Sequence, residues 1–208
     1  MRNSSSIPGL WLPRKLDFFS ATTGSQILEF AIVLPLLMVL VVGIFDFGTA
    51  FNVKQKIVNV TREGARVASN QPTNDLWPPG VVGTCAAPTS VCAVRDAVDN
   101  ALITNKMADC GLSTANASLT PGTLIWTFNP AGCAGPMTLT INRGFVVPNV
   151  NLQATPPFQA NYNIEMTQIT LSYPYQWTFN RVIPLLVSSA SYPGATQLRS
   201  VAVMQNLN

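Results

Sequence analysis

The 208-residue sequence contains no histidine. That removes the commonest general base and the commonest metal ligand together. It also excludes Ser–His and Cys–His nucleophile arrangements. Charge is sparse: Lys, Arg, Asp and Glu make up 10% of the chain, and the net charge is only +3. No block of Lys and Arg with interleaved aromatics occurs, which argues against nucleic acid as a partner. The nine carboxylates are scattered, with no metal-spaced cluster, and there is no glycine-rich phosphate loop. Asp96 and Asp99, with Arg95 beside them, read as a solvated helix face. These absences predict a non-enzymatic protein with no catalytic residues, no metal and no cofactor.

Apolar residues reach 48% of the chain, and the surplus lies in one segment. Ile27 to Phe51 is strongly apolar, and Phe30 to Phe45 carries no charge at all. At 1.5 Å per residue, Ile27 to Phe51 covers roughly 37 Å, enough to cross a hydrocarbon core of about 30 Å with some tilt. In a secretory signal the h-region is shorter and the small-residue cleavage site follows it. Here the small polar run "SATTG" comes first. The reading is therefore a retained membrane helix. Basic residues do not orient it: Arg2, Arg14 and Lys15 precede it, and Lys54, Lys56, Arg62 and Arg66 follow.

Past the apolar run, Val53, Ile57, Val60, Gly64 and Val67 or Ala68 recur in steps of three and four, one face of a helix. Pro72 is a natural stop. One long helix is expected from Ser25 to Gln71, apolar in its first half and amphipathic in its second. Two features in it stand out: Pro35, which removes a helical hydrogen bond, and Asp46, read as the outer boundary of the span.

The remainder, 72–208, suits an α+β domain. A second helix is expected from about Ser90 to Ala108, with Gly111 as terminator. Strand patterns follow at Thr123–Phe128, Met137–Val147, Tyr162–Phe179 and Gln197–Gln205. Pro174 marks an edge or a bulge, and "VIPLLVSS" near Val182 is ambiguous between helix and strand. An antiparallel sheet of three to five strands packed on the long helix is the expected layout.

Cys85, Cys92, Cys110 and Cys133 are even in number, confined to one region and free of any C-x-x-C pair. That pattern reads as two disulfides in an oxidising compartment. The alternative is four buried free thiols in a cytosolic domain. Four cysteines allow three pairings. The sequential one, Cys85–Cys92 with Cys110–Cys133, is a starting assumption that spacing does not single out. Disulfides would put residues 72–208 outside the cytoplasm and the N-terminus inside.

Three motifs carry a family resemblance. Gly24 is followed at the fifth position by Glu29, then by Phe30, Ala31, Leu34 and Pro35. Gly43, Ile44, Asp46, Phe47 and Gly48 come next, and "TREGAR" closes the series at Thr61–Arg66. In this order the motifs resemble the TadE-like family of the tight adherence (Tad) pilus and secretion system, whose members carry a signal of the type IV pilin kind. The resemblance spans residues 24–68, about a fifth of the chain.

That resemblance implies a pilin-like fold and a processing event. A prepilin peptidase would remove a cytoplasmic leader, residues 1–24, by cutting between Gly24 and Ser25, with Glu29 and Phe30 completing the processing site. Glu29 and Pro35 would then serve assembly. Partners would be the peptidase, other pilin or pseudopilin subunits, an inner-membrane assembly platform and membrane lipid. A chain this much longer than the main pilin of such systems implies a minor subunit. The residues alone leave a second reading open: an uncleaved, single-pass envelope protein of the bacterial inner membrane whose outer domain binds a ligand or a protein.

Overall fold

A computed structural model describes residues 22–76, 84–151, 161–177 and 195–207. Residues 1–21, most of the expected leader, and the "VIPLLVSS" segment lie outside them. The chain falls into two units, Met1–Val42 and Gly43–Asn208.

Helix α1 runs from Thr22 to Ser69, 48 residues, and continues through Pro35. In the first unit none of its residues from Gly24 to Val42 is buried. An 18-residue window of the helix has mean hydropathy 2.8 with no buried share. It is the one helix among the described residues long and apolar enough to cross a membrane. An apolar helix left uncovered by the described residues needs another apolar medium.

The helix takes in Thr22–Gly24, earlier than the expected start at Ser25. The first four N–H groups of any helix lack an intrahelical acceptor, so glycine in the first turn disturbs no ladder bond. At the other end Asn70 and Gln71 fall outside the helix. Their N–H groups donate to Val67 O and Ala68 O, both at 3.2 Å, a tightened final turn.

The second unit is an α+β sandwich of helices on one face of a sheet. Helix α2 spans Thr89–Thr104, and a 3₁₀ turn follows at Leu112–Thr114. Strands β1 (Ala117–Leu119), β2 (Ile125–Phe128), β3 (Thr138–Asn151), β4 (Asn161–Tyr175) and β5 (Thr196–Gln205) form an antiparallel meander in chain order. Its core joins three layers. Ile57, Val60, Ala65 and Ala68 come from α1, Val91, Val94, Val98 and Leu102 from α2, and Trp126, Phe128, Leu139, Ile141, Ile169 and Leu171 from the sheet. The three-and-four spacing of the two helices and the alternation of the strands deliver these faces.

Helix α2 stops four residues short of the expected Ala108. Lys106 takes a left-handed φ of 54°. Its N–H donates to Ile103 O at 2.9 Å, and Met107 N–H donates to Leu102 O at 3.0 Å. That is a Schellman closure with lysine in the place glycine usually holds. Gly111, the expected terminator, instead opens the 3₁₀ turn with φ 77°.

Pro174 lies in β4, which has β3 on one side and β5 on the other, rather than in an edge strand. The β3 register ends at Ser172, so at Pro174 only β5 runs alongside. β4 is locally an edge there, which is where proline is tolerated. Disulfides join Cys85 to Cys92 and Cys110 to Cys133.

Candidate functional site: the long helix and what it touches

The three motifs all fall on α1, and each has a different environment. Gly24 lies in the first turn, with nothing within 4 Å of where a Cβ would stand. Ser25 Oγ approaches Glu29 Oε1 at 3.5 Å, one turn apart on one face. Glu29 and Phe30 are exposed, and Pro35 lies within the helix with its side chain also exposed. Nothing in the described structure covers this stretch.

The second motif begins the globular unit's hold on the helix. Asp46, expected as the outer boundary of the span, is only 2% exposed. Tyr175 Oη, at the end of β4, donates to Asp46 Oδ1 at 3.2 Å. Burial pushes the Tyr175 phenol above its ordinary value, which keeps it a donor. Thr49 Oγ1 donates to Phe45 O at 2.6 Å, turning its hydroxyl back onto the helix. Beside these, Trp177 meets Phe47 edge-on with ring centroids 5.3 Å apart, and Tyr175 at 5.1 Å. Its indole N–H donates to Thr196 Oγ1 at 2.6 Å. A carboxylate in an otherwise apolar "GIFDFG" was the sequence signal for this cluster. Its partners, more than a hundred residues away, were not foreseeable from spacing.

The third motif divides by face. Thr61, Gly64 and Ala65 point inward, and Arg62 and Arg66 outward. The Thr61 hydroxyl reaches Ile57 O at 2.8 Å and Ser200 Oγ at 2.7 Å, tying α1 to β5. A Cβ on Gly64 would stand 2.6 Å from Val98 Cγ2, so glycine there lets α1 and α2 approach. On the outer side Arg66 donates to Glu63 in a fork of 3.0 and 2.6 Å. The hydrogen bond from Arg66 holds the Glu63 carboxyl below the usual carboxylate range. This is an exposed i,i+3 pair, of small energetic weight.

Two buried charged groups escaped the sequence reading. Arg143 sits in the first β3 bulge, which turns its side chain into the core. Its guanidinium donates to Ala68 O, to Gln71 O at 3.0 Å and to Pro72 O at 3.1 Å. These are carbonyls at and just past the end of α1, where a cation also meets the negative end of the helix dipole. Burial pulls its pKa below the ordinary arginine value, with Asp75 acting the other way.

The second group is the expected solvated face on α2, which is in fact largely inside: Arg95 and Asp99 are buried. Arg95 Nη1 donates to Ala115 O at 3.0 Å, and its Nη2 pairs with Asp96 at 2.7 Å. Burial, then the nearby Asp109 charge, pushes the Asp99 carboxyl up. The helix is covered on two sides, by α1 and by the turn at Leu112–Thr114, so its polar face is not free. Among the described residues no group of three or more His, Cys, Asp or Glu is placed to hold a metal ion.

No curated protein and no solved structure matches the chain. The family model described as "TadE-like protein" matches residues 24–66. The matched stretch opens on Gly24 and closes on Arg66, so it takes in all three motifs and nearly all of α1. Along its long N-terminal helix, about a fifth of its length, the chain is similar to TadE-like proteins.

Proposed function

We propose that the chain is a minor pseudopilin of a tight adherence pilus system. In this reading a prepilin peptidase removes the leader by cutting between Gly24 and Ser25. The mature helix stays in the inner membrane and enters an assembly that attaches cells to surfaces. The observation that carries the reading is the family match, which begins at Gly24 itself. The two disulfides support an oxidising compartment for the globular unit, and hence a cytoplasmic leader.

The chemistry of the site supports the same order of events. Glycine has no side chain, so its peptide bond can lie close to a peptidase's catalytic groups. The cut creates an α-amino group on Ser25, with a reference pKa of about 7.7–8.0 and so largely positive at neutral pH. A lone carboxylate inside a membrane costs about 2.5–3.5 kcal/mol at the centre of a span, less near its end. Ser25 and Glu29 share one face, one turn apart. The new ammonium, on the same subunit or on a neighbour, therefore offsets the cost of Glu29. Glu29 then marks register when helices pack, as single polar residues do in coiled coils. Pro35 lies in the same buried stretch of an assembly and leaves one carbonyl there for another donor.

The test is co-expression with a prepilin peptidase, followed by intact-mass and N-terminal determination. The expected product begins at Ser25, and a bulky residue at Gly24 blocks its formation. Glu29→Ala is expected to leave cleavage intact and to reduce co-purification with other pilin subunits. A full-length N-terminus beside an active peptidase would instead mark an uncleaved membrane-anchored envelope protein.

A further inference from the structure

The contacts of α1 with the sheet come in order along both elements. Asp46 meets Tyr175, at the end of β4 beside the start of β5. Lys54 Nζ donates to Arg199 O, Thr61 meets Ser200, and Ser69 O accepts from Leu207 N–H at 3.1 Å. Asp46 to Ser69 rises about 35 Å as helix, and Thr196 to Leu207 about 36 Å as strand. β5 therefore runs alongside α1 in the same direction. The end of the sheet where β4 leaves and β5 returns lies level with Asp46 and Phe47.

Phe47 follows Phe45, the last residue of the charge-free run, by about 3 Å of helical rise. At this level the globular unit shows aromatic surface. Phe47 and Phe51, one turn apart, are 69% and 65% exposed. Trp177 packs its ring against Phe47 and has its N–H satisfied by Thr196. Further along α1, Lys54 Nζ donates to Arg199 O and Lys56 Nζ to Asn105 O at 2.9 Å, so both are held by the globular unit.

We propose that Phe47, Phe51 and Trp177 form a collar that seats this end of the sheet in the interfacial layer of a lipid bilayer. The proposal rests on reading the apolar run of α1 as a membrane span. Aromatic side chains concentrate at this depth because the layer accepts an apolar ring and a polar edge together. A bilayer is the occupant because the collar continues the exposed apolar surface of α1 without a break in sequence. The collar would hold this end of the sheet at the membrane surface.

The test uses the full chain carrying Trp11→Phe and Trp77→Phe, reconstituted in nanodiscs of phosphatidylcholine and phosphatidylglycerol. Trp126, 1% exposed in the core, serves as the internal reference. Replacing the phosphatidylcholine with a 6,7-dibrominated form is expected to quench Trp177 and lower total emission by up to about half. Trp177→Phe is expected to abolish that bromine-dependent loss. Protein that co-elutes with lipid yet emits equally in brominated and plain discs would overturn the collar while leaving the span standing. So would equal quenching with and without Trp177. Emission shifted to the blue but insensitive to bromine would point to a second copy of the chain covering Trp177, and would also overturn it. Failure to co-elute with lipid would overturn the span reading and the collar together.

Discussion

At Gly64 an added methyl group would meet Val98 Cγ2 at 2.6 Å and Ile169 Cγ2 at 3.7 Å. Two effects compete on replacing this glycine with alanine. Alanine favours a helix interior by about 1 kcal/mol over glycine. Against that stands overpacking, typically about 1–3 kcal/mol. Val98 is β-branched and holds one preferred rotamer in a helix, so it has little room to turn away. The clash wins. Gly64→Ala is expected to lower the melting temperature of the detergent-solubilised chain by about 3–6 °C, with α1 and α2 separating slightly. Thermal unfolding followed by circular dichroism measures it; an unchanged or raised Tm would mean Val98 yields. The outward residues of the same motif, Arg62 and Arg66, touch nothing in the core. Their cost on truncation is expected to show in partner binding rather than in stability.

At the scale of elements, the parts written in local pattern were legible and the parts written in long-range contact were not. The inward face of α1 at Ile57, Val60, Gly64 and Ala68 followed from periodicity. The strand patterns at β3, β4 and β5 were legible too, but not which face is inside: in β5 Val201 and Val203 are exposed and Ser200 is buried. The three-residue β1 has too short a pattern to register, and it exists because β2 offers it an edge. The premature end of α2 needed a left-handed lysine, which composition does not announce. Arg143 looked like any strand arginine until its bulge turned it onto the end of α1.

The disulfides belong to this scale too, since each closes a loop between elements. Cys110–Cys133 spans 23 residues and Cys85–Cys92 spans 7. Loop-closure entropy gives about 3.4 and about 2.5 kcal/mol respectively. Cys110→Ser with Cys133→Ser is therefore expected to cost more stability than Cys85→Ser with Cys92→Ser. Paired melts of the two double variants test the order, and a larger loss at Cys85–Cys92 would contradict it.

For the whole molecule, the division at Val42 and Gly43 separates two kinds of stability. The first unit has no buried residue between Gly24 and Val42 and depends on a medium or on partners for its apolar surface. The second carries its own core, whose main cluster begins at Ile57 with Val53 packed against it. Among the described residues, the side-chain contact furthest back along α1 with a distant part of the chain is Asp46 with Tyr175. A chain beginning at Gly43 therefore keeps every core residue, both disulfides, the Thr61–Ser200 tie and the Arg143 clamp. It is expected to fold in water without detergent, to unfold in one cooperative transition and to retain both disulfides. A chain beginning at Val53 loses Asp46 and leaves the Tyr175 hydroxyl without its carboxylate. A buried donor so exposed to loss costs about 1–3 kcal/mol, so this shorter form is expected to melt earlier by about 2–10 °C. Equal melting of the two forms would show that the hold on α1 begins only at the core. Failure of the Gly43 form to fold in water would show that the apolar half of α1 contributes to the globular unit and not only to its place in a membrane.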